Sequence, residues 1–203
     1  MTWRDDVLAT WATERLKTLQ VWQSFREDDF TWRPPDAQKR GRSVHEQMVH
    51  QCVSEDRWCS NMLGIDLGVP ALPTTENRQS FIEIYSTSSA KRLAYLEQQD
   101  ELWWNVSTRF FDTDRSRLWV VMRRLLHTSH HRGQLTAYLR CLGRQLWSTY
   151  GPTADTGGLN QHAAPTIYAY ANDQALLADP AGTSAIRLPG PPTDRPVSER
   201  PLR

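Results

Sequence analysis

The chain has 203 residues, and 24 Lys plus Arg against 23 Asp plus Glu leave a formal charge of +1. That length supports one domain with a sizeable core, and the balanced charge argues against nucleic acid as a partner. Three cysteines (Cys52, Cys59, Cys141) cannot all pair, and no run approaches the ~20 apolar residues that span a bilayer. The charged start Met1-Thr2-Trp3-Arg4-Asp5-Asp6 is followed by no apolar signal core, so a cytoplasmic, reducing setting without membrane contact is expected. Nine tryptophans are many for this size; such large rings suit the broad spaces between packed helices.

From Trp3 to about Phe25, apolar positions Val7, Leu8, Trp11, Leu16, Leu19 and Trp22 recur at helical spacing without Gly or Pro, which predicts an amphipathic helix. Pro34-Pro35 then forbids helix in the connection from Asp28. Ser43 followed by Glu46 is a capping box that opens helix two, and Gly64 is its stop after Leu63. Ile65 to Thr75 reads as a loop, and Asn77 to about Leu102 as helix three. Trp103 to Phe111 is a β-branched and aromatic connector, either extended or packed over one end of the helices. Asp112-Thr113-Asp114 offers caps for helix four, expected from about Arg115 to Leu142, with Gly143 as its stop. Gly133 inside that helix costs roughly 1 kcal/mol against alanine, so a neighbouring helix or a ligand is expected close to it. Beyond Gly143 the composition turns loop-like, with one short helix between Thr166 and Ala178. A proline-rich tail follows from Leu188.

These elements predict an all-α, up-and-down four-helix bundle over 1–146. A loop-rich extension over 147–180, packed on the bundle, and an extended or disordered tail over 181–203 complete the chain. Bundles of this kind build metal sites from residues on facing helices. Helix four carries His127, His130 and His131. Residues four apart on a helix lie about 40° from one another around its axis, so His127 and His131 can aim at one point. Such a pair chelates divalent metals; ordinary hydrogen-bonded histidines are the plain alternative, and His130 is a nearby competitor. A third ligand decides between them, and His50, in the middle of helix two, is the better donor there than His45. The sequence His45-Glu46-Gln47-Met48-Val49-His50 is one residue too long for the zincin H-E-x-x-H, because histidines five apart diverge by about 140°. Glu46 is read as a cap, with metal ligation as the other reading. Glu55 and Asp56 are read as solvated charges, and Arg132 as a surface or salt-bridging residue. Arg123 and Arg124, one turn before His127, are read as a solvated face, with anion binding as the other reading. Gln134, one turn beyond His131 on the same face, could hydrogen-bond a bound ligand; a bond to helix two or three is the plain alternative. The cysteines read as small buried residues.

The helix-four segment His127-x-x-His130-His131-Arg132-Gly133-Gln134-Leu135, together with His50, resembles the DinB/YfiT-like metalloenzyme family over about residues 5 to 160. The loop Tyr150-Gly151-Pro152-Thr153-Ala154-Asp155-Thr156-Gly157-Gly158 is similar to a subset of DinB-type proteins. The resemblance implies a four-helix bundle, often a homodimer, that binds one zinc, nickel or similar ion through His50, His127 and His131, with His130 outside the ligand set. Characterised members of the family include thiol-dependent transferases and isomerases. Three protein nitrogens leave a metal open to water or a thiol, so a metal-dependent hydrolase or a low-molecular-weight-thiol S-transferase acting on a small-molecule substrate, with a thiol as co-substrate, is expected. The competing expectation is a non-catalytic, stress-associated metal-binding dimer. A di-iron carboxylate site would need Glu-x-x-His pairs, and the sequence has none.

Overall fold

The computed structural model describes residues 2–35 and 40–192. Four long helices carry most of its secondary structure: α1 (Trp3–Gln23), α2 (Val44–Leu63), α3 (Arg78–Glu97) and, after two short elements, α5 (Arg117–Cys141). Each begins where a polar side chain takes up a free backbone amide. Thr2 and Asp5 form a capping box at α1, Ser43 and Glu46 form the expected one at α2, Asn77 caps α3, and Ser116 caps α5. Gly64 ends α2 in the left-handed conformation, at φ +71°, where glycine is free of Cβ strain.

Between α3 and α5 the structure departs from expectation. Helix three stops at Glu97 rather than Leu102, because Asp100 accepts from the Trp103 amide and caps a separate short helix, α4 (Glu101–Asn105). The aromatic connector then becomes strand β1 (Ser107–Phe110), paired antiparallel with β2 (Thr113–Ser116). Asp112, Thr113 and Asp114 therefore lie in the hairpin and do not cap the last long helix. Ladder pairing claims Thr113 and Asp114, the turn takes Asp112, and the helix start moves to Arg117. The extension contains α6 (Asp173–Leu177), shorter than 166–178 allowed, since Asn172 caps it and leaves the preceding residues as coil.

Helix α1 packs against α3 and α5, and α2 against α5 and α3. One apolar cluster joins Leu19, Trp22, Met48, Phe81, Tyr85 and Leu135; a second joins Trp11, Cys59, Leu63, Leu96, Trp104 and Val121. Cys52 and Cys59 are buried as expected, whereas Cys141 is exposed. The region after α5 is tied to α1. Gln20 bonds the backbone of both Ala169 and Tyr170, Gln23 donates to the Asp179 carbonyl at 2.8 Å, and Tyr170 and Leu176 enter the first cluster. Residues 181–192 have no regular secondary structure, yet Leu188 is buried and the Gly190 amide donates to the Asp155 carbonyl. The remainder of the expected tail, 193–203, lies outside the described residues. Gly133 is exposed, and a Cβ added there would meet nothing within 4 Å. The expected close approach is therefore not what the fold shows at this glycine. No helix among the described residues is long and apolar enough to cross a membrane.

Candidate metal centre

Where α2 packs on α5, three imidazoles converge. Nε2 of His131 lies 3.0 Å from Nε2 of His50 and 3.2 Å from Nε2 of His127. The three potential donor atoms all fall within 4.8 Å of one another, a grouping able to hold a metal ion. Tetrahedral bonds of about 2.0–2.1 Å would set nitrogen pairs roughly 3.3 Å apart, so the spacing is close to what one ion needs. The i, i+4 placement on α5 supplies two rings, and the central position of His50 on α2 supplies the third.

The second nitrogens of the rings set their chemistry. Nδ1 of His131 faces two amide oxygens, Gln47 Oε1 at 3.0 Å and Gln134 Oε1 at 2.9 Å. Both only accept, so Nδ1 carries the proton and Nε2 presents its lone pair to the cluster, the tautomer a metal ligand requires. Gln47 also donates to Gln134 at 2.8 Å, locking α2 to α5 behind the ring. His127 differs: the Arg124 guanidinium donates to its Nδ1 at 3.0 Å. A guanidinium cannot accept, so the neutral His127 ring carries its proton on Nε2. An ion held by that Nε2 would transfer the proton to Nδ1 and end the Arg124 contact. Nε2 of His50, 3.0 Å from the same His131 lone pair, would likewise give up its proton to its own Nδ1, and with both exchanges the donor set fits a divalent cation.

Burial holds all three rings neutral. It lowers His50 to about 4, helped by the charges of Arg42 and Arg124. It lowers His127 to about 3, with Arg124 the next cause. His131 falls to about 4 through burial and the neighbouring His50. None of the three rings therefore takes up a second proton near neutral pH, so ion binding there releases no net proton from an imidazolium.

Other expected residues land differently. His130 is exposed and stands outside the group, with Nε2 3.3 Å from Gln134 Nε2. Gln134 contacts His131, Gln47 and His130, which makes it a positioning residue for the ring. Glu46 is committed to the Ser43 cap and to Arg33, and His45 pairs with Glu76. Glu55 and Arg124 are not solvated. They are 2 % and 1 % exposed, because Glu55 turns inward to meet Arg92, Arg124 and the Tyr85 hydroxyl. Asp56 is half-buried against Arg92 at 2.8 Å. Arg123 is exposed as expected. Arg132 is buried and salt-bridged to Glu14, whose carboxylate also accepts from Ser129 and Tyr150. Sequence reasoning missed Gln47, the Arg124–His127 contact and Trp58, whose ring lies 5.2 Å from that of His127. Gln47 and Arg124 each had a signal, an i−3 position from His50 on α2 and from His127 on α5; Trp58 had none.

Two clefts flank His50. One, of about 470 Å³, is lined by Arg42, His45, Val49 and Val53; the other, of about 280 Å³, by Val53, Arg57, Trp58, Met62 and Phe111.

A mostly helical chain with three histidines gathered from two of its long helices is the arrangement expected of a DinB-type protein. The DinB family model matches residues 2–160, and the chain belongs to the DinB family. It is similar to a solved DinB-like protein from Bacillus cereus at 16 % identity and a TM-score of 0.59, over 72 % of this chain and 97 % of that one. A solved DinB-like protein from Bacillus subtilis gives 18 % identity and a TM-score of 0.55, over 69 % and 93 %. At such identities the likeness is one of fold. No curated protein matches the chain.

Proposed function

We propose that the protein is a metal-dependent enzyme, of hydrolase or low-molecular-weight-thiol S-transferase type, in which His50, His127 and His131 bind one zinc or nickel ion. In this reading the four long helices form an up-and-down bundle that assembles as a homodimer in the cytoplasm. The observation that carries the proposal is the convergence of three neutral imidazole nitrogens beside two open clefts. Three protein nitrogens leave coordination positions for water or substrate, as catalytic rather than closed structural sites do. When bound, the ion supplies Lewis acidity that brings a coordinated water or thiol toward ionisation near neutral pH.

The protein's own residues hold that arrangement. Gln47 and Gln134 fix the tautomer of His131, and Val49, Val53 and Trp58 form apolar walls around the open side of His50. The nearby carboxylates are all engaged: Glu46 by Arg33, Glu76 by His45, and Glu55 by Arg92. That engagement leaves no free carboxylate base beside the rings among the described residues and favours one rival, a non-catalytic metal-binding dimer. Elemental analysis of wild type beside His50→Ala and His131→Ala tests the site. About one divalent ion per chain, lost in both variants, is expected; retention in both overturns the site. Consumption of a thiol with a generic electrophile by the loaded protein separates enzyme from binder.

A further inference from the structure

The hairpin tip carries a residue that its backbone disfavours. Pairing of Phe110 with Thr113 leaves Phe111 and Asp112 as a two-residue loop. Phe111 has a φ of +53°, and Asp112 is not among the residues with positive φ. A turn with a positive φ only at its first central position takes glycine there, because a Cβ is strained in the left-handed region. The ring of Phe111 is also 67 % exposed, so neither backbone geometry nor core packing accounts for it. It meets Trp58 edge-on, at 6.2 Å between ring centroids. Together they wall the cleft of about 280 Å³ that opens beside His50. Val53 and Met62 extend its apolar surface, and Arg57 supplies the one full charge among its lining residues. Arg57 is exposed, and no ion pair among the described residues includes its side chain.

We propose that this cleft receives a small aromatic acid. Its ring packs against the wall that Phe111 and Trp58 form together, its anionic group lies at Arg57, and the rest of the molecule reaches toward His50. The inference rests on the metal-centre reading above and names the substrate class of that site. Aromatic walls select a flat apolar group through edge and face contacts, and the unpaired guanidinium selects negative charge. The volume lies at the lower limit of small-molecule sites, which suits one ring with a short chain. Strain at a ligand wall is a recurrent mark of such sites.

The test is calorimetric titration of the full chain with 3-phenylpropanoate and with its cationic counterpart 3-phenylpropylammonium, in metal-stripped and zinc-supplemented protein. The anion should bind and the cation should not. Phe111→Gly relieves the left-handed strain, so it should fold at least as well as wild type while binding the anion about fivefold more weakly. Arg57→Gln should weaken the anion by a similar factor and erase the preference for negative charge. Equal binding of both probes, or unchanged binding in Phe111→Gly, overturns the proposal. A lower melting temperature in Phe111→Gly with unchanged binding makes the ring a structural buttress and overturns it equally. Zinc bound without any binding of 3-phenylpropanoate sinks the cleft alone; binding of 3-phenylpropanoate to protein that takes up no zinc sinks the metal centre alone.

Discussion

The guanidinium of Arg124 donates to Nδ1 of His127 at 3.0 Å, while Nε2 of the same ring faces Nε2 of His131 at 3.2 Å. Arg124 is itself held by Ser54 Oγ at 2.7 Å and lies 3.7 Å from the Glu55 carboxylate. One ring is therefore set in the tautomer opposite to that of its neighbour. In metal-free protein, nitrogen-detected NMR should show His127 protonated on Nε2 and His131 on Nδ1. One equivalent of zinc should move the His127 proton to Nδ1 and leave His131 unchanged. A His127 already protonated on Nδ1 without metal would refute the Arg124 constraint.

Gln47 and Gln134 share the task of accepting from His131 Nδ1. Partners behind a metal-ligating histidine contribute about 10- to 100-fold in affinity. Gln47→Leu or Gln134→Leu alone should cost toward the lower end, since the other amide still accepts, and the double variant should cost more than either. Competition against a chelator of known affinity measures this. Equal affinities in all four proteins would mean that the amides play no part in holding the ring.

Acid should destabilise the metal-free protein in a definite window. The three rings are lowered from 6.5 to about 4, 3 and 4, so below pH 6.5 the unfolded chain binds protons that the folded chain refuses. Stability then falls as pH drops from about 6.5 toward 4, and the contribution levels off below about 3. Melting temperatures of chelator-treated wild type across that range should slope downward on acidification, and His127→Asn should flatten the slope. An unaltered slope in that variant would show that other groups govern it.

Gly133 sits exposed on α5 with open space where a Cβ would go. Gly133→Ala should thus stabilise the protein by about 1 kcal/mol, or roughly 2–4 °C in Tm for a chain of this size. A loss of stability would mean that another surface packs against this face.

What the sequence made legible was what a single helix encodes. The Ser43–Glu46 box, the Gly64 stop and the His127–His131 spacing are local patterns, and each predicted its geometry. Glu55 and Arg124 were misread as solvated because their partners, Arg92 and each other, stand on different helices. A charge shows its need for compensation in sequence, but not where the compensation comes from. The β1–β2 hairpin escaped for a related reason. Ser107–Phe110 and Thr113–Ser116 are short, and no glycine marks the turn between them, since Phe111 fills the position where one is usual. Gln47 and Gln134 gain their role only once α2 lies on α5.

The three imidazoles come from two helices that the chain places far apart in order, so an ion seated among them would act as a staple across the α2–α5 seam. At a free concentration one hundred times its dissociation constant, such an ion adds about 2.7 kcal/mol to folding. Thermal resilience and resistance to proteolysis would then track how much metal a preparation had scavenged. Batches of identical sequence would melt at different temperatures until the ion content was controlled.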